Sequence, residues 1–128
     1  MFGHSKLPSD RHPYPRSRDS RRLEVQEVVG RYVFVVDLDE VIYVVPDGYH
    51  MHPRVLGNGA RALYAGELYI DQPGHIEEMT NLSGTFRFKS QRSLCCVALH
   101  LRAIGFTVGE VIWYPPDGSS YPVALTCS

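Results

Sequence analysis

RYVFVVDLDEVIYVV, residues 31–45, decides the fold. Residues 31–37 and 41–45 are rich in β-branched and aromatic side chains, and the polar link Leu38, Asp39, Glu40 is too short for anything but a turn. That pattern predicts a β-hairpin. Both strands are apolar on both faces over much of their length, which predicts central strands covered on each side. Pro46, Asp47 and Gly48 are turn residues and end the hairpin.

Moving toward the C-terminus, residues 60–70 (ARALYAGELYI) would allow a helix through their Ala and Leu but read better as a strand. Gly66 inside it marks a bulge or a close backbone approach. A turn at residues 71–74 leads into a partner strand over 75–80. Thr85, Phe86, Arg87 and Phe88 alternate polar and aromatic side chains, a half-buried strand pattern. The spacing of Leu94, Val97, Ala98, Leu101 and Ile104 predicts one long helix over 91–104. Ser90 suits its N-cap and Gly105 its left-handed C-terminal residue. A strand over 106–114 follows, then a turn and a short strand over 121–125 that Pro122 confines to an edge. The expected fold class is α+β: five to seven mostly antiparallel strands packed on one long helix.

Toward the N-terminus, residues 1–22 mix Pro, Ser, Arg, Asp and His with few aliphatic residues. Such composition predicts a disordered basic arm, with residues 23–128 as a single domain. The arm and the body differ in charge. Residues 1–25 carry a net charge of +3 and residues 26–128 a net of −4. The arm is too dilute in cations to be more than a weak tether to nucleic acid. No apolar run approaches the roughly 20 residues that span a bilayer, so no membrane association is expected. The three cysteines, two of them adjacent, do not read as a disulfide framework. A reduced, cytoplasmic setting is therefore expected.

Residues 48–89 hold most of the groups with chemical potential. His50 and His52 alternate along what reads as an extended segment. Glu67 interrupts an otherwise apolar strand, where a carboxylate either faces water or is held in a cleft with a raised pKa. With a histidine as partner it could serve acid–base chemistry, so Glu67, His52 and His50 are the candidate catalytic residues. Asn81, Ser83, Gly84, Thr85 and Arg87 form a turn whose free N–H groups could bind an anion, and they are the candidate binding residues. His50, His52, Cys96 and His100 make a chemically acceptable zinc set, but their spacing matches no standard finger or ribbon, and no metal is expected. Nor is a cofactor: the chain has no dinucleotide fingerprint, phosphate loop, zinc-deaminase signature or nucleophile elbow.

One set of short motifs resembles a known family. His50 or His52, then Gly57 to Gly59, then Ala65, Gly66 and Glu67, then Asn81, Leu82, Ser83 and Gly84 are similar to a small domain at the C-termini of bacterial Rhs-type polymorphic toxin proteins. The likeness is more distant to the C-terminal region of plant IQ-motif proteins. In that family the final glycine is followed by His-Tyr-Arg-Pro. Thr85, Phe86, Arg87 and Phe88 stand there in this chain, and a threonine cannot replace a histidine as a base. The resemblance implies a toxin-related role and supports the scaffold more than an activity.

The leading expectation is a small bacterial-type module that binds a protein partner or a small ligand through residues 48–89. One alternative is a toxin-like enzyme acting on a nucleotide or nucleic acid through Glu67 and a histidine. Another is an immunity or accessory protein whose acidic body covers a basic toxin.

Overall fold

The computed structural model describes residues 2, 4–9, 14–48, 51–83, 86, 88, 91–115 and 117–123. The predicted hairpin is formed by β2 (Gly30–Val36) and β3 (Ile42–Pro46), with Val33 opposite Val45 and Val35 opposite Tyr43. Its turn is locked by one side chain. The Asp37 carboxylate accepts the N–H groups of Asp39 (2.9 Å) and Val41 (3.0 Å). Glu40 there adopts φ 61°, a left-handed conformation uncommon for a glutamate.

β2 is an interior strand of the sheet. On its far side it pairs antiparallel with β4 (Tyr64–Gln72), and β4 pairs antiparallel with β5 (His75–Thr80). β1 (Arg21–Arg22) lies on the outer side of β3. β6 (Thr107–Trp113) lies beyond β5, and β7 (Tyr121–Pro122) closes the far edge as its proline requires. The order is β1-β3-β2-β4-β5-β6-β7, a seven-stranded sheet.

The sheet is mixed, which hairpin reasoning did not anticipate. β6 runs parallel to β5, from His75 opposite Thr107 to Thr80 opposite Ile112. The long helix α2 (Gln91–Ala103) is the reason. Parallel neighbours need a crossover longer than a hairpin turn, and residues 81–106 supply one. α2 covers one face of the sheet with Leu94, Val97, Ala98 and Leu101, all buried.

A second helix, α1 (His52–Leu56), corrects the expectation of a single helix and of an extended segment at His52. Pro53 sits in its first turn, where a missing N–H costs nothing. Five residues are too few to show helical periodicity, so the sequence carried no signal. α1 packs on β2 and β3. Val33, Val35, Val45 and Ala65 share one face of the sheet and are buried, whereas Ile42, on the other face, lines a groove together with His100 of α2. α1 therefore covers the opposite face from α2.

Two other expectations change. Phe86 and Phe88 are buried but belong to no strand. Phe88 instead stacks on Tyr64, with ring centroids 5.0 Å apart. Their burial comes from aromatic packing, which produces the same alternation as a strand. The described parts of residues 1–22 lie against the body rather than apart from it. Lys6 pairs with Ala62 through both backbone groups, Asn58 N–H donates to the Tyr14 carbonyl (2.8 Å), and Ser17 N–H donates to the Arg54 carbonyl (2.8 Å). Backbone hydrogen bonds and cation–π contacts do this work, Lys6 over Phe88 and Arg54 over Tyr14. Hydrophobic composition does not report either kind of contact.

The cysteines also divide. Cys95 is disulfide-bonded, whereas Cys96 is free and buried. Consecutive helical residues point about 100° apart, so the two thiols meet different surroundings.

Gly66 makes the close approach the sequence predicted. A Cβ there would lie 1.9 Å from the Thr80 carbonyl oxygen and 2.8 Å from the Phe34 ring. Gly66→Ala is expected to cost about 3 kcal/mol in urea unfolding. Gly59→Ala, at φ 69° with no described atom near the new Cβ, is expected to cost only about 1 kcal/mol. Equal costs for the two would disprove the steric account.

Candidate functional site

The pairing of β2, β4 and β5 puts a line of side chains on the face away from α2. Arg31 lies opposite Tyr69, Tyr69 opposite Glu78, and Glu67 opposite Thr80. Because strand side chains alternate, these five share one side of the sheet. Asp47 joins them from the end of β3, where its N–H donates to the Arg31 carbonyl (3.0 Å). With Leu82 and Tyr114 they line a cavity of about 140 Å³.

Its electrostatics are one-sided. Among the described lining residues, three carboxylates, Asp47, Glu67 and Glu78, come from three different strands or strand ends and face a single cation, Arg31. The Arg31 guanidinium lies 5.0 Å above the Tyr69 ring, a cation–π contact. Glu67 is half-buried. Its pKa is raised, first by burial, then by the negative charge of Asp47 and Glu78, with Arg31 opposing. Desolvation and like charge both disfavour the ionised form.

The candidates from the sequence separate into three groups. Glu67 is in the cavity. His52 is close by along the chain contacts but is used otherwise. Its Nε2 donates to the Gly66 carbonyl (2.8 Å) from a buried position in α1. That bond places a proton on Nε2, and burial lowers the ring's pKa from its ordinary value. His52 thus bonds the backbone beside Glu67, and the described hydrogen bonds and ion pairs include none between the two side chains that were expected to act as an acid–base pair.

Asn81 and Ser83 are also committed. Asn81 Nδ2 donates to the Tyr114 carbonyl (3.0 Å), and its Oδ1 accepts the Tyr114 N–H (2.8 Å). The side chain thus continues the β5–β6 ladder past the end of β5. Ser83 Oγ accepts the Phe86 N–H (3.0 Å) and closes a turn. His50, Gly84, Thr85 and Arg87 lie outside the described residues. Among the described residues, no three His, Cys, Asp or Glu side chains are arranged to hold a metal.

Arg31, Asp47, Tyr69, Glu78 and Tyr114 were missed. Asp47 read as a turn residue and Glu78 only as part of the strand over 75–80. Only the β2–β4 and β4–β5 registers reveal that they meet. A comparison of the chain with protein-family models, curated proteins and solved structures gives no match.

Two pH effects follow. Glu67 has its pKa raised on folding, so its contribution is fully present below the unfolded carboxylate value and is lost as pH rises through the folded one. Glu67→Gln should raise the urea midpoint at pH 7 and change little at pH 4. His52 has a lowered folded pKa, so its neutral form is matched above pH 6.5 and loses stability as pH falls below it. The wild-type midpoint should drop between pH 7 and pH 5 more steeply than that of His52→Gln. The limiting extra slope is about 1.4 kcal/mol per pH unit. Parallel pH profiles would refute this role of His52.

Proposed function

We propose that the chain is a binding module that seats one basic side chain of a protein partner, a lysine or arginine, in the Asp47–Glu67–Glu78 cleft. The single observation carrying this is the convergence of three carboxylates on one cation that is already stacked on a tyrosine. An incoming ammonium or guanidinium offsets the burial and the repulsion that together disfavour ionised Glu67, and Tyr69 and Tyr114 provide aromatic walls for its stem. The cavity of about 140 Å³ suits one side-chain head better than a nucleotide.

This narrows the leading expectation, a partner-binding module acting through residues 48–89, and agrees with an immunity or accessory protein that covers a basic toxin. The resemblance to polymorphic-toxin domains supports that setting. The toxin-like enzyme is the second reading, favoured by the raised pKa of Glu67 alone, a property general acids share. Among the described residues, no helix is long and apolar enough to cross a membrane. A cytoplasmic setting sits awkwardly with the bonded Cys95, because cytosolic thiol buffers keep cysteines reduced.

N-α-acetyl-lysine methylamide, titrated into ¹⁵N-labelled protein, should shift the amides of Arg31, Glu67, Tyr69 and Glu78. Raised salt should weaken the effect, and Glu67→Gln with Glu78→Gln should reduce affinity about tenfold, or about 1.4 kcal/mol. Shifts that are absent to the solubility limit, or unchanged in the double variant, would rule the proposal out.

A further inference from the structure

On the α2 side of the sheet, away from the carboxylate cleft, the described residues enclose a larger groove of about 590 Å³. Three elements build it. One wall is residues 22–26, at the start of the segment that crosses from β1 to β2. A second is the β2–β3 turn. The third is the C-terminal end of α2, with His100 in its last turn and Ile104 just beyond it. The walls that matter for recognition are Glu24, Val25, Asp39, Glu40, Val41 and Ile104. Val25 and Ile104 are 38% and 40% exposed, and Leu38 at the tip of the neighbouring turn is 58% exposed. Aliphatic groups are thus open to solvent inside and beside a groove whose carboxylates outnumber its one arginine, Arg22, by three to one.

The walls are held in place without an occupant. Arg21 Nε donates to Glu27 Oε1 (2.8 Å) and the Tyr32 hydroxyl donates to the Val28 carbonyl (2.8 Å), which pin the crossing segment. The Asp37 carboxylate fixes the turn through Asp39 and Val41. Glu40 is held at φ 61°, where glycine would fit without strain, and this holds a carboxylate at the rim. A groove already in its binding shape loses little entropy when filled.

We propose that this groove docks a short peptide segment of a partner protein in which basic residues alternate with aliphatic ones. The aliphatic side chains lie against Val25, Val41 and Ile104. The lysine or arginine heads reach Glu24, Asp39 and Glu40 at the rim. Charge complementarity selects the occupant. The groove's net negative charge disfavours an acidic helix, and its polar rim disfavours a wholly apolar one.

The test uses the full chain and an acetylated, amidated hexapeptide alternating lysine and leucine, with a glutamate–leucine hexapeptide as control. The basic peptide should shift the amides of Glu24, Val25, Glu40, Val41 and Ile104 in ¹⁵N spectra, and the control should not. Glu24→Lys with Glu40→Lys should weaken it at least about tenfold, and Ile104→Ser about threefold. Glu40→Gly should weaken it while melting no lower than wild type, which separates lost docking from lost fold. Glu67→Gln should leave this affinity unchanged, so failure here is distinguishable from failure of the carboxylate cleft. Equal binding of the acidic control, unchanged affinity in the groove variants, or shifts confined to Arg31, Glu67 and Tyr69 would overturn the proposal.

Discussion

Burial of strand β2 on both faces is the constraint that the rest of the structure obeys. Val33, Phe34, Val35 and Val36 are all at most 2% exposed. Two adjacent apolar surfaces on one strand need two covers and two hydrogen-bonding neighbours. β3 and β4 are the neighbours, the short α1 packs directly on β2 and β3, and α2 packs on the same sheet at β6. Gly66 lies where β4 pairs with Phe34 and leaves room for the Thr80 carbonyl. His52 then spends its one donor on the Gly66 carbonyl, so α1 is hydrogen-bonded to the sheet it covers.

That arrangement determines where polar groups can go. α1 occupies the β2–β3 part of its face, and beyond it the same face must be wet. Arg31, Glu67, Tyr69 and Glu78 fall in this wet part, together with Asp47 from the strand end. Burial first, and then the nearby carboxylates, disfavour the ionised form of Glu67 and raise its pKa. The other groove, near the end of α2, also carries an excess of carboxylates and a strained Glu40 at its rim. The net negative body therefore has two concave acidic surfaces on opposite sides of one sheet. Unfavourable local terms of this kind are tolerated in folded proteins where binding offsets them.

Much of the fold was legible. The hairpin of β2 and β3, the strand with its close approach at Gly66, the strand over residues 75–80, the long helix and the proline edge strand all rest on local signals. These are periodicity, turn residues and capping residues, which act within a few positions of the chain. The elements that were misread lack such signals or imitate others. α1 is shorter than two helical turns. Phe86 and Phe88 alternate like a strand because aromatic stacking buries both. The N-terminal segment is bound by backbone hydrogen bonds and cation–π contacts, which composition does not encode.

The candidate site divides along the same line. By itself the sequence determined that Glu67 is a carboxylate inside an apolar strand and that Gly66 allows a close contact, because both are statements about single positions in a local pattern. Tertiary structure alone decided that Asp47 and Glu78 surround that carboxylate, that Arg31 lies over Tyr69, that His52 is a neutral structural donor and that Asn81 clamps Tyr114. It also decided that β6 returns parallel to β5. Each of these depends on strand register between segments distant in the chain. Register is set by the summed burial of whole strand faces, and no single residue carries it.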